Sequence, residues 1–279
     1  MAMPEVADRP RIATLLREWR ERRRMSQLDL ALGAGVSARH MSFVETGRSR
    51  PSAEMVMQLA EYLDVPLRDR NALLLAAGYA PAFAQRDLAD PEMGPLRDAI
   101  ARVLRGHEPY PAVVVDRHWG LVAGNAAVPL LTAGVAEHLL EPPVNVLRLS
   151  LHPEGLAPRI TNLGEWRAHL LDRLGRQAVA SGDPALFALH EELAGYPGGG
   201  GGHSVDLEAG EIAVPLRIRA GDGGPELSFL STATTFGTAI DVTVSELSVE
   251  SFFPADEATV RALRVLGGST TRDAASEDR

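Results

Sequence analysis

Residues 26–52 read SQLDLALGAGVSARHMSFVETGRSRPS. Ser26 is placed to cap a helix that runs from Gln27 to about Gly33. The Gly-Ala-Gly at 33–35 breaks it, and Ser37 is placed to cap a second helix that ends near Glu45. Gly47 suits a left-handed stop just after it. Ala31 supplies a small side chain where two helices cross, and Gly35, four residues on, tolerates the positive φ of a tight turn. Met41 and Val44 then anchor the second helix about one turn apart. The pattern is a helix-turn-helix, although an ordinary helical hairpin shares its local features. The two arginines on the exit turn, Arg48 and Arg50, need a partner in a chain of net charge −9.

Outward from this stretch the helical pattern continues. Ile12, Leu15, Leu16 and Trp19 form one apolar face upstream, and Met55, Val56, Leu59, Ala60 and Leu63 form another after Pro51-Ser52. A fifth helix around 68–77 ends at Gly78. Five short helices with tight turns predict a compact all-α domain over residues 1–80.

Residues 10–78 resemble the XRE-type, phage-repressor-like helix-turn-helix family. The Ser-Gln opening at 26–27, the Ala-x-x-x-Gly turn at 31–35, the ETGRSRPS exit at 45–52 and LAEYLDVP at 59–66 carry the resemblance. It implies that the third helix enters the major groove of a DNA operator. Gln27, Arg48 and Arg50 match positions that hold phosphates. Ser37, Ala38, Arg39, His40 and Ser42 are then the candidates for reading bases. Arg39 leads, because a guanidinium fork fits the O6/N7 edge of guanine. His40 is open between a base contact and a phosphate or solvent contact. Phe43 packs either on a thymine methyl or in the core, with the core favoured. The cluster RERRR at 20–24 is either a further backbone contact or a solvated face.

Composition sets wider bounds. The 279 residues allow two modest domains, and 45% of them are hydrophobic. No apolar run reaches the length of a membrane span, and no apolar leader opens the chain, so a cytoplasmic protein is expected. There is no cysteine, which removes disulfides and thiol chemistry. Residues 1–80 carry 12 arginines against 10 acidic residues, whereas the rest is strongly acidic. A polyanion would therefore meet the front of the chain.

Residues 81–95 read as a Pro-rich linker, with a helix at about 95–106 after it. Two apolar runs around a polar turn within 111–132 predict a hairpin. Helical patterns fill 144–194. Strands follow: Ile212 to Ile218 alternate, 227–236 is a run after the GDGG turn at 221–224, and Ile240, Val242 and Val244 alternate with polar residues. The order, two strands, several helices and three strands, predicts a PAS-like domain over 96–270. It has a five-stranded antiparallel sheet with helices over one face, and a disordered tail follows at 271–279. The fold class is α+β. VVVDRHWGLVAGNAA at 113–127, LHPEGLAPRITNLGEW at 151–166 and SFFPADEAT at 251–259, with NALLLAAGYAP at 71–81, resemble the MmyB-like transcription regulators. The resemblance implies a ligand-binding rear domain whose ligand is a fatty acid or another apolar molecule.

A cavity between sheet and helices would be lined by Val122, Leu130, Phe229 and Phe236, with Trp166, Leu170 and Phe187 from the helices. Taken singly, each of these reads first as plain hydrophobic core. Arg117, Asn125, His152 and Arg159 are the candidates for holding an acidic head. No H-E-x-x-H, no G-x-S-x-G and no phosphate loop is present, and the glycines at 198–202 read as a surface loop. The chain is therefore expected to be no enzyme, to need no cofactor or metal, and to act as a homodimer on double-stranded DNA. The competing reading gives the rear domain only a dimerisation or protein-partner role.

Overall fold

The computed structural model describes residues 12–198, 213–221 and 223–274. Ile212, the glycines at 199–202, Asp222 and residues 275–279 lie outside the described residues. The chain divides into two compact units. One contains the residues up to Asp87 with Val179–Ser181 and Gly237–Ser245, and the other contains the remainder. The change of unit after Asp87 falls within the stretch expected to be a linker.

The first unit is built on α1 (Ile12–Arg22), α2 (Gln27–Gly33), α3 (Ala38–Glu45), α4 (Ala53–Tyr62) and α5 (Leu67–Ala76). Ser26 accepts the Asp29 N–H while Asp29 accepts the Ser26 N–H, a reciprocal cap that satisfies two orphan donors. Ser37 accepts from the His40 N–H and Ser52 from the Met55 N–H. Gly35 turns the chain between α2 and α3 with φ +65°, where a β-carbon would be strained. Leu16, Trp19, Leu30, Ala31, Met41, Val44, Val56 and Leu59 close the core beneath these turns. Each large aliphatic side chain so buried contributes about 1.5–3 kcal/mol of transfer free energy.

The rest of the chain runs α6 (Gly94–Gly106), β1 (Ala112–Val115), β2 (Leu121–Gly124), α7 (Val128–Thr132), α8 (Val146–Leu151), α9 (Leu163–Ser181), α10 (Pro184–Ala194), β3 (Leu216–Arg219), β4 (Glu226–Thr235), α11 (Val242–Ser245), β5 (Ser248–Pro254) and α12 (Glu257–Ala274). The strands form one antiparallel sheet in the order β2-β1-β5-β4-β3. The two-strand, helices, three-strand order is as expected, with three corrections.

Residues 240–244 are not a strand. Asp241 accepts the Thr243 N–H at 2.9 Å and starts the single turn α11, while Val242 is buried and Ile240 is 84% exposed. A short side-chain cap thus overrides the period-two alternation. The third strand of that group is β5 instead. The sheet is also covered on both faces. Val113 and Val115 of β1 join the core formed with α8, α9 and α10, whereas Ala112 and Val114 pack with Ile100 and Leu104 of α6. That is why all four β1 residues are buried. Finally, the tail expected to begin at 271 is helical through Ala274, since no proline or glycine interrupts α12 after Gly268.

The β1–β2 turn positions a residue that matters below. Asp116 accepts the N–H groups of His118 and Gly120, each at 2.8 Å. This ties the turn tightly and leaves Trp119 with φ +66°, a conformation that bulky residues rarely adopt.

Candidate functional site

The exposed start of α3 presents Ser37, Ala38 and Arg39 to solvent, with His40 and Ser42 half-buried. The Arg39 guanidinium lies 5.4 Å from the centre of the Phe43 ring. Phe43 is only half-buried, so in place of the core role favoured above it offers its ring face to the Arg39 guanidinium. Arg48 is exposed, and its side chain makes no hydrogen bond or ion pair with the protein among the described residues.

The other basic groups are more occupied. Arg50 donates from Nε to the Ala77 carbonyl at 2.7 Å and from Nη2 to the Gly78 carbonyl at 3.1 Å, and it lies over Tyr79. Its guanidinium thereby satisfies carbonyls at the end of α5. Gln27 donates to Glu45 Oε2 at 2.7 Å, which turns its amide into the domain. In the 20–24 cluster, Arg20 pairs with Glu45 at 2.7 Å, and Arg23 donates to the carbonyls of Leu63 and Asp64. Both arginines brace the fold through these bonds, those of Arg23 to Asp64 and Ala180 lying at the surface.

In the rear unit a cavity of about 80 Å³ lies between the sheet and helices α7, α8 and α9. Its wall is apolar, with Val113, Leu147, Leu149, Leu156, Leu216 and Phe252 among the contributors. Trp166 and Leu170 line it as expected, with the Trp166 indole N–H donating to Ser150 Oγ at 3.0 Å. The other apolar candidates sit elsewhere. Phe229 is wholly buried in the core, and Leu130 packs against that core. Phe187 is 47% exposed and Val122 is 36% exposed. Phe236 packs with the cluster on the opposite face of the sheet.

The four candidates for an acidic head are likewise engaged in structure. Arg159 donates to the carbonyls of Leu130, Leu131, Ala133 and Arg219, holding loops together. Asn125 is buried, accepting from the Ala112 N–H and donating to the Leu104 and Tyr110 carbonyls. Arg117 lies 3.3 Å from Asp183 and 3.9 Å from Glu246. His152 accepts the Glu154 N–H and meets the Tyr196 ring edge-on. Although burial opposes it, hydrogen bonds from His118 and the Ala185 N–H, together with Arg117, hold the Asp183 carboxyl below its ordinary range.

The polar groups that do line the cavity are Arg173, Glu250, Ser231, Ser150 and Thr132. Arg173 meets Glu250 through two hydrogen bonds, at 3.0 and 2.6 Å, and stacks 4.6 Å from the centre of the Trp119 ring. A sequence signal for both existed. Arg173 falls on the stripe Trp166, Leu170, Arg173, Leu174, Gln177, and Glu250 shares a strand face with Phe252.

Residues 96–266 match the family model for the MmyB-like transcription regulator ligand binding domain, and residues 16–69 match a helix-turn-helix model. No curated protein sequence matches the chain. Among solved structures it is similar to one described as an RNA-binding light-oxygen-voltage receptor, at 13% identity and a TM-score of 0.27. That similarity covers 94% of this chain, which spans 64% of the receptor's length.

Proposed function

Since the chain belongs to the MmyB-like transcription regulator ligand binding domain family and carries a helix-turn-helix ahead of that domain, we propose that a small apolar molecule held in the rear cavity sets its affinity for a DNA operator. The carrying observation is a cavity with a mostly apolar wall and a few polar groups, among them the Arg173–Glu250 pair, the usual composition of a small-molecule site. A fatty-acid-like chain fits that wall. The volume of about 80 Å³ is smaller than the ~150 Å³ that admits benzene in an engineered cavity. A longer ligand must therefore move α8 or α9 away from the sheet. Such a movement is what a regulator needs, because a ligand with equal affinity for two states shifts neither.

The regulator acts as a homodimer on a palindromic or directly repeated site, since one recognition helix reads only a few base pairs. Sedimentation with footprinting tests this, and a monomer protecting a single half-site with nanomolar affinity would overturn it. The ligand reading is tested by thermal shift and operator binding across an alkyl-chain series. Stabilisation together with altered operator affinity supports it. With neither effect at any chain length, the rear domain is a dimerisation or partner-binding module.

The two arginines of the reading surface separate by role. Arg39→Ala is expected to relax base preference at one position and to cost about 1–3 kcal/mol at the preferred operator. Arg48→Ala should weaken all sequences alike and lower the salt slope by roughly one unit. Binding titrations over a set of operator variants at several salt concentrations check both. If Arg39→Ala weakened every variant equally, α3 would lie in a different register.

A further inference from the structure

Arg173 and Glu250 are the only ionisable side chains on the cavity wall among the described residues. Glu250 is 5% exposed and sits mid-sheet, opposite Val113 of β1 and Ala233 of β4. An ion pair placed there gives little net stability, because desolvation offsets most of the attraction. The pair is nevertheless held in a specific geometry. Arg173 stacks on Trp119, the Trp119 indole N–H donates to Gln177 Oε1 at 2.9 Å, and Gln177 Nε2 donates to the Arg117 carbonyl at 2.9 Å. Trp119 keeps its left-handed backbone within this arrangement, at a cost of order 1–3 kcal/mol. A strained aromatic that orients a half-buried arginine on a buried carboxylate in a cavity wall is the arrangement expected of a recognition element.

Resting on the reading of this cavity as the ligand site, we infer that its ligand carries an uncharged polar head, such as an alcohol or amide, and that Arg173 and Glu250 together read it. The argument is electrostatic. The guanidinium has five N–H donors, and Glu250 takes two of them. The carboxylate has about four acceptor sites, two of them filled by Arg173, with Ser248 Oγ a longer contact at 3.4 Å. A hydroxyl or amide can accept from the first and donate to the second without breaking the pair. A carboxylate can only accept. It must either lie beside the Glu250 carboxylate or displace it from Arg173, which strands a buried negative charge. The neighbouring titratable group gives no relief. His169, one turn before Arg173 on α9 and 5.5 Å from Trp166 ring to ring, is held below its ordinary pKa by burial, Arg173 and Arg176. It adds no positive charge near neutral pH.

The experiment uses the full chain and matched probes: 1-octanol, octanamide and octanoate, with the hexyl and decyl homologues, by calorimetry and thermal shift. The alcohol and amide should bind at least about tenfold more tightly than the carboxylate of the same chain. Glu250→Gln removes the negative charge and frees the guanidinium, so the order should invert, with octanoate gaining at least about tenfold over octanol. Melting curves establish whether that variant folds, and the wild-type comparison stands without it. Equal or tighter binding of the carboxylate by the wild type would overturn the inference while leaving the ligand reading intact. No binding of any probe would overturn the ligand reading, and the inference with it.

Discussion

Replacing Glu45 by alanine is expected to unfold the helix-turn-helix unit while leaving the rear core melting as before. Glu45 ends α3, is 2% exposed, and collects donors from two other helices. Arg20 of α1 donates from Nε at 2.7 Å and Nη2 at 3.0 Å, and Gln27 of α2 donates at 2.7 Å. Arg17 adds a bond from α1 to the Glu45 carbonyl at 3.0 Å. One carboxylate therefore fixes the recognition helix against both helices that carry it. By accepting from Arg20, Glu45 raises the pKa of that guanidinium above its ordinary value, and an arginine stays charged in a protein even without such a partner. The Arg20 side chain is 11% exposed in the intact protein, and without Glu45 its remaining partners are the Met25 carbonyl at 2.8 Å and the Glu21 carboxylate at 3.7 Å. Removing one partner of a buried pair costs about 3–5 kcal/mol. A domain of this size has a total stability near the low end of about 5–15 kcal/mol, so the loss consumes most of it. Hydrogen exchange across residues 12–78 should show loss of protection in α1–α5 together. Operator and non-specific DNA binding should fall in parallel, unlike the sequence-selective effect of Arg39→Ala. Wild-type protection factors in Glu45→Ala would show that the apolar core alone holds α3 in place.

The same carboxylate shows why some of the surface was legible in the sequence and some was not. Caps and turns are local. Ser26, Ser37, Ser52 and Gly35 act on residues within one helical turn, and their roles could be read from spacing alone. The direction of a long polar side chain is not local. Gln27 turns toward a carboxylate 18 residues away, and Arg50 turns toward carbonyls 27 and 28 residues away. Spacing marks both as phosphate ligands but does not show the internal partners that the fold also gives them. The rear unit repeats the lesson. The strand β3 follows from alternation ending at Ile218 and β4 from its apolar run, but the same period-two alternation at 240–244 yields to the Asp241 cap. Aromatic residues alone do not locate the cavity. Phe187 sits at the surface and Phe236 on the other face of the sheet, while the ion pair on the cavity wall joins a helix residue to a strand residue 77 positions later.

Removing the Trp166 side chain is expected to destabilise the rear core by about 3–5 kcal/mol, and added indole is expected to restore much of that loss. Trp166 is 3% exposed, lines the cavity and donates its indole N–H to Ser150 Oγ. In Trp166→Ala the vacated space adjoins the existing cavity, and Ser150 keeps an oxygen able to accept from a new N–H. Free indole has the deleted shape and the deleted donor. If it reaches the site, an excess of 100 times its dissociation constant stabilises the fold by about 2.7 kcal/mol. The control is Leu193→Ala. Leu193 is wholly buried in the same core on α10 but does not line the cavity. Its loss should cost about 2–5 kcal/mol by the same mechanism, with no recovery on adding indole. Denaturant melts of both variants with and without indole provide the measurement. Rescue of Trp166→Ala alone identifies a cavity that small molecules enter from solvent, the property a ligand-responsive regulator requires. Rescue of neither variant identifies a sealed void, so that the rear domain would act on DNA binding only through dimerisation or a protein partner.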